Sequence, residues 1–316
     1  MIVTCENLRK TFPGGVEAVR GVSFEIAEGE AFGLLGPNGA GKTTTMQMLG
    51  TLLAPTAGAA VVAGYDVARD PAAVRSSIGF AMQEAGLSRF SSGREHIVMM
   101  AQLHGFSKRA ARERAVELLE LFSLHDAADR LVRTYSGGMK RRLDLACGLV
   151  HRPRILFLDE PTTGVDPTSR RALWDELVSL RRDGTSLLLT THYLEEADQL
   201  CERLAIVDRG VIVAAGTPAR LKEEIGADVV TIEVDPADTA AAREVVAAIG
   251  TLRPAAEGTI HLETPNGAAA VVEVVERLTE AGLRPASVTV ARPTLDDVFF
   301  RHTGATIGGR EEESAA

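Results

Sequence analysis

The chain has 316 residues, 45% of them hydrophobic, which is enough for one large core or two smaller ones, and nowhere do 18 apolar residues run together as a membrane-spanning helix requires. A net charge of -9 and a pI near 5.4 argue against a nucleic-acid partner, which would leave a basic face or stripe. The first residues lack the basic segment and apolar run of a signal peptide, and Cys5, Cys147 and Cys201 are odd in number and far apart, so they read as reduced, core-packed thiols of a cytosolic protein.

In chain order, Ile2 to Leu8, Val16 to Val19 and Val22 to Ile26 predict a small antiparallel sheet, broken at Pro13-Gly14-Gly15 and Glu28-Gly29. Glu30 to Leu35 predicts a buried strand, and Lys42 to Leu53 a helix with apolar Met46, Met48, Leu49, Leu52 and Leu53. Between them, Gly36-Pro37-Asn38-Gly39-Ala40-Gly41-Lys42-Thr43-Thr44 fits the phosphate-binding pattern G-x-x-x-x-G-K-[ST]. Strand, glycine loop and helix are the context that pattern needs, because the helix N-terminus then aims unpaired N–H groups and the positive end of its dipole at a nucleotide's phosphates.

Strand candidates follow at Ala59 to Val62 and Ile78 to Met82, then helices at Gly93 to His104 and Arg109 to Phe122 open a helical insertion, about residues 93–150. Ser136-Gly137-Gly138 starts a helix to Leu149, and the apolar strand Ile155 to Leu158 ends in Asp159-Glu160. A helix from Pro167 to Arg182, a strand from Ser186 to Thr190, a helix from Leu194 to Cys201, a hairpin at Leu204 to Val207 and Val211 to Ala214, and a helix from Pro218 to Ile225 complete the first domain, residues 1–225. Such alternation predicts a mostly parallel sheet wrapped by helices. Residues 226–302 restart as strand, helix, strand, helix, strand, helix, a small α+β domain, and 303–316 read as a disordered acidic tail.

The phosphate loop alone suits many nucleotide enzymes. An acidic pair at the carboxyl end of a buried strand narrows it, since open α/β sheets bind ligands there: Asp159 with the Thr43 hydroxyl for Mg2+, Glu160 for the attacking water. A third segment, Tyr135-Ser136-Gly137-Gly138-Met139-Lys140-Arg141-Arg142, puts a serine hydroxyl and two glycine N–H groups at another helix start, a second anion site suited to a γ-phosphate. Lys108 to Arg114 and Lys140 to Arg142 read as solvated helix faces.

With these three segments in order the chain resembles the ATP-binding cassette ATPases, whose fold is an α/β P-loop NTPase cassette: a mixed sheet core, an antiparallel β subdomain and a helical signature subdomain, here with a small C-terminal α+β domain. The resemblance implies ATP and Mg2+ as cofactors and adds residues by position: Phe12 stacking on adenine, Gln83 touching Mg2+ and water and coupling to the membrane partner, Asp166 communicating across a dimer, and His192 beside the γ-phosphate. Catalysis is then expected from Glu160, His192 and Lys42, nucleotide binding from Gly36, Asn38 to Thr44, Ser136, Gly137 and Gly138, and metal binding from Thr43, Gln83 and Asp159. It also implies a head-to-tail homodimer in which Ser136 to Gly138 of one copy closes over ATP held by the other. Tyr135 stands where the family has leucine and Met139 where it has glutamine. That Tyr-Ser-Gly-Gly-Met segment, followed by Leu143-Asp144-Leu145-Ala146, and Pro293-Thr294-Leu295-Asp296-Asp297-Val298-Phe299-Phe300 resemble the daunorubicin-resistance type of exporter ATPase. This implies a separate membrane permease, work at the cytoplasmic face of the cell membrane and efflux of a drug-like substrate. The alternatives are a regulatory cassette using ATP only to dimerise, and a cassette of translation or DNA repair, which usually carries two cassettes or a long coiled coil absent here.

Overall fold

A computed structural model of the chain describes residues 1–82 and 86–303. Gln83 and almost all of the expected acidic tail lie outside the described residues. The chain divides into two compact units, with the break after Pro218.

Two sheets build the first unit. β1 (Val3–Phe12) and β2 (Val16–Ile26) form a long antiparallel hairpin. The sequence predicts two short strands where β2 runs unbroken: Gly21, at φ +111°, lets the backbone turn through a region closed to other residues without leaving the ladder. β3 (Ala31–Leu35), buried at every residue, leads through the glycine loop into α1 (Lys42–Leu49), which stops at Gly50, short of the expected Leu53. β4 (Ala57–Val62) and β5 (Tyr65–Asp66) complete the first sheet in the order β2-β1-β4-β5. α2 (Pro71–Ser77), a helix that sequence reading missed, begins at a proline and leads straight into β6 (Ile78–Ala81).

The helical insertion holds α3 (Gly93–Leu103), closed by a capping box between Ser92 and Glu95, then α4 (Lys108–Leu121) and α5 (Gly137–Gly148). The chain returns through β7 (Ile155–Asp159), α6 (Pro167–Arg182), β8 (Ser186–Thr191), α7 (Leu194–Leu200), β9 (Arg203–Asp208) and β10 (Val211–Gly216). The second sheet has the order β10-β9-β3-β8-β7-β6; only β10 is antiparallel to its neighbour. It is the mixed sheet core that sequence reading predicts. Buried Phe24, stacked on Phe32 with centroids 5.2 Å apart, helps join the two sheets into one core with Ile26, Leu34, Met46 and Phe157. The three cysteines are free and buried, as expected.

The second unit begins within α8 (Pro218–Glu223) and continues through β11 (Asp228–Glu233), α9 (Thr239–Val246), β12 (Thr251–Arg253), β13 (Thr259–Thr264), α10 (Gly267–Glu280), β14 (Ser287–Ala291) and α11 (Leu295–Thr303). Its antiparallel sheet, β12-β13-β11-β14, carries a separate core of Val230, Ile232, Ile260, Leu262, Val274 and Leu278.

Candidate functional site

β3, β8 and β7 are adjacent parallel strands, in register Leu35 with Thr191 and Asp159 with Thr190, so their carboxyl ends form one edge. The loop leaving β3 is clamped from several sides. A Cβ on Gly36 would lie 2.2 Å from the Val207 carbonyl oxygen, and one on Gly41, at φ +102°, 2.4 Å from that of Ala18, so only glycine fits either position. Gly36 N donates to Thr191 O at 3.2 Å, Gly210 N to Ala40 O at 2.9 Å and Arg20 N to Gly210 O at 2.7 Å. α1 starts at Gly41 without a side-chain cap, which leaves its first amides for an anion.

Lys42, buried, donates Nζ to Gly36 O at 2.7 Å and Pro37 O at 3.0 Å and lies 3.6 Å from Glu160 Oε1. His192 Nδ1 is 3.2 Å from the same oxygen, and the Thr163 hydroxyl donates to Oε2 at 3.1 Å. The backbone of Glu160 is itself unusual: φ is +46°, and its N–H is fixed by Thr190 O at 3.1 Å and Thr190 Oγ1 at 3.0 Å. Burial alone would raise the Glu160 carboxyl, but the His192 ring, the Lys42 ammonium and the Thr163 hydroxyl outweigh it and hold it below the usual carboxylate range. The result is an ionised base ringed by donors. Beside it, Asp159 Oδ1 accepts from Thr190 Oγ1 at 2.6 Å and from Thr43 Oγ1 at 2.9 Å.

Sequence reasoning predicts Lys42, Thr43, Asp159, Glu160 and His192 as one site, and these five lie together. Asn38 and Gly39 are exposed at the loop tip, and Thr44 is half-buried on α1. Phe12 ends β1 with a half-exposed ring under the Lys10 ammonium, 5.4 Å from its centroid. Asp166 is exposed and caps α6 by accepting from Ser169 N at 3.0 Å. The Ser136 hydroxyl caps α5, accepting from Met139 N at 3.2 Å. Cβ atoms on Gly137 and Gly138 would meet Gly164 at 3.7 Å and Ser169 at 3.0 Å. The expected closure by a second copy therefore starts from a loop seated against its own chain's Gly164-to-Ser169 turn.

Three residues escaped sequence reasoning. Arg141 is buried, against the expected solvated face: with Gly138 and Leu145 it shares the buried side of α5 at helical spacing, and helical projection of the basic run would have found it. Glu196 is buried on α7 with its carboxyl accepting from Trp174 Nε1 at 3.3 Å; burial pushes it above the usual range, against the pull of Thr191, Thr162 and Trp174. Its spacing to Leu200 on the buried face is the missed signal. Tyr135, noted only as a departure, is buried and donates its hydroxyl to Ala127 O at 2.7 Å, which pins the loop ahead of α5.

Away from this edge, a groove of about 430 Å³ opens between β6, α3 and α5, lined among others by Leu52, Met82, Leu87, Met99 and Asp144. Leu52, Met82 and Met99 expose between 41% and 52% of their surface there, an apolar patch of the kind that marks an interaction site.

A family model described as ABC transporter matches residues 19–163, and one described as the C-terminal domain of DrrA1-3-like ATP-binding proteins matches residues 216–303. The doxorubicin resistance ATP-binding protein DrrA of Mycobacterium tuberculosis is 46% identical over 312 residues, 96% of this chain and 94% of that one. The daunorubicin/doxorubicin resistance ATP-binding protein DrrA of Streptomyces peucetius is 42% identical over 96% of this chain and 92% of its own. Among solved structures, the dimeric post-hydrolysis state of the cassette MJ0796 bound to ADP and Pi aligns with a TM-score of 0.63 and 26% identity, covering 68% of this chain and 98% of that one.

Proposed function

The chain belongs to the ABC transporter ATPases, of the daunorubicin- and doxorubicin-resistance type, and from that premise we propose how its residues divide the work of hydrolysis and of coupling to a drug-exporting permease. The observation that carries the proposal is the convergence of Lys42, His192 and Thr163 on the carboxylate of Glu160. The amides of the loop at 36–44 and the Lys42 ammonium bind the phosphates of ATP, and the half-exposed Phe12 ring stacks on adenine. Thr43 and Asp159 offer two hard oxygen donors, 2.9 Å apart, that would hold Mg2+, which when bound would supply neutralising charge at the phosphates. Glu160 accepts a proton from water as the water oxygen adds in line to the γ-phosphorus and the bond to the β–γ bridging oxygen breaks, leaving ADP and phosphate, and His192 keeps that carboxylate oriented.

ATP hydrolysis needs two copies in this reading. Ser136 to Gly138 of one copy approaches the γ-phosphate bound by the other, and Asp166 communicates across the junction; relatives in dimeric form support the assembly. Among the described residues no helix is long and apolar enough to cross a membrane; the resistance ATP-binding relatives support attachment at the cytoplasmic face through a separate permease. The groove at Met82 and Met99 receives a cytoplasmic segment of that permease, with Gln83 next to it in sequence, and a drug-like, lipophilic compound is the cargo. Residues 226–302 form an accessory domain that steadies the assembly.

Glu160→Gln keeps the shape of the side chain and removes the base. It is expected to bind ATP normally, to accumulate as an ATP-bound dimer on size-exclusion chromatography and to hydrolyse at least about 100-fold more slowly. Near wild-type turnover in that variant would take Glu160 out of the mechanism.

A further inference from the structure

One buried side chain joins the groove to the hydrolytic edge. Arg141 lies on α5 just past the glycines, and all three nitrogens of its guanidinium are engaged. Nε donates to Pro161 O at 2.8 Å, Nη2 to Asp159 O at 2.9 Å, and Nη1 both to Met82 O and, at 3.2 Å, to the Asp144 carboxylate. A guanidinium is a rigid fork that does not shed its charge, so burying one is costly unless acceptors are arranged around it.

The position of those acceptors is informative. Met82 follows β6 directly, and Asp159 ends β7. Asp159 and Pro161 flank Glu160, so the guanidinium holds the carbonyls on both sides of a residue whose own backbone sits at φ +46°. The other two acceptors face elsewhere: Met82 and Asp144 both line the apolar groove. One planar group therefore touches the groove wall with Nη1 and the Glu160 turn with Nε and Nη2.

We propose that Arg141 is the positioning residue through which occupation of the groove is felt at Glu160. A segment seated against Met82 and Asp144 displaces the two acceptors of Nη1. Because the fork is stiff, the displacement is passed to the carbonyls of Asp159 and Pro161, and the Glu160 carboxylate turns toward or away from the attacking water. The inference rests on the reading of the groove as the permease site.

The test uses the full chain assembled with its permease in lipid nanodiscs. Arg141→Lys keeps the charge and the stem but offers a single ammonium that cannot span carbonyls on two segments. Its complex is expected to stay assembled and to keep the KM for ATP within about twofold, while kcat falls at least about tenfold. Asp144→Asn, which removes only the groove-side charge, is expected to lower kcat by about threefold at the same KM, and it decides the matter if the lysine variant does not fold. A mere structural staple predicts otherwise: a lower unfolding temperature with unchanged kcat in the folded fraction. Wild-type kcat in both variants, or a loss confined to KM, overturns the proposal. Met99→Glu separates this inference from the reading beneath it. If that variant still co-purifies with the permease, the groove is not the docking site and both fall; if it releases the permease while Arg141→Lys and Asp144→Asn turn over normally, only the role of Arg141 falls.

Discussion

α1 and α5 both follow glycine-rich segments that carry sequence motifs, and they open differently. α1 leaves Gly41 in the left-handed region with no side chain over its first amides, whereas α5 leaves Ser136 in extended backbone with the serine hydroxyl already accepting from Met139 N. The first arrangement keeps N–H groups for a ligand held by the same chain. The second occupies one amide with the hydroxyl of an exposed serine, which the proposed function shares with a second copy. In the proposed reading a similar local device, a glycine-rich helix start, serves as a complete cradle where the sheet edge supplies the rest, and as a contact surface where it does not.

The comparison breaks most severely at Gly41. Gly41→Ala meets the Ala18 carbonyl oxygen at 2.4 Å and φ +102°, so it is expected to abolish ATP binding and to cost upwards of about 3 kcal/mol. Gly138→Ala meets Ser169 Cβ and Oγ at 3.0 Å, a tight contact but no backbone atom and no left-handed φ, so it should cost less and stay folded; isothermal titration and thermal denaturation of the pair measure the contrast. Ser136→Ala comes next. It should lower hydrolysis about 100-fold and stability by about 1 kcal/mol while monomeric ATP affinity is unchanged. A matching loss of monomeric affinity would place both helix starts in one pocket and end the distinction.

The pH dependence of stability is a smaller effect on the α5 side. Burial raises Glu176 from 4.5 to about 7, despite Arg142 of α5 4.0 Å away, and Asp175 adds to the rise. The folded state thus holds a proton that the unfolded chain releases, and this contribution, complete below pH 4.5, is lost as pH rises through 7. Chemical denaturation should show a decline on the order of 2 kcal/mol across that window, missing in Glu176→Gln. The smallest expected effect is that of Tyr135→Phe: loss of the hydrogen bond to Ala127 O should cost about 1 kcal/mol in denaturant titration and leave α1 and its nucleotide affinity untouched.

The α1 half of this comparison was the more legible in sequence. Residues 36–44, Asp159-Glu160 and His192 carry chemistry in residue types that local spacing exposes, and they meet because their strands are neighbours. The α5 half was legible only at Ser136 to Gly138. Arg141 was hidden because a basic run looks solvated until a helix is projected, and because three of its four acceptors are main-chain carbonyls, at Met82, Asp159 and Pro161, which side-chain identity cannot advertise. Tyr135 was visible as a substitution but not as a hydrogen bond, since Ala127 gives no sign of a needy carbonyl. In the fold, β2 was divided at Gly21 because glycine reads as a break, and α2 was overlooked because seven residues starting at a proline give too short a period to detect.

The clamps on the phosphate loop also bear on biosynthesis. The motif is complete at Thr44, but its cradle needs Ala18, Thr191, Val207 and Gly210. At ribosomal speed the last of these follows the motif by roughly 160 residues, on the order of 10 to 30 seconds. Through that interval a nascent chain carries the nucleotide motif without the walls that shape it, so ATP has no grip on the protein until the first unit is nearly all made. Nucleotide then stabilises a finished fold and cannot act as the seed around which the fold assembles.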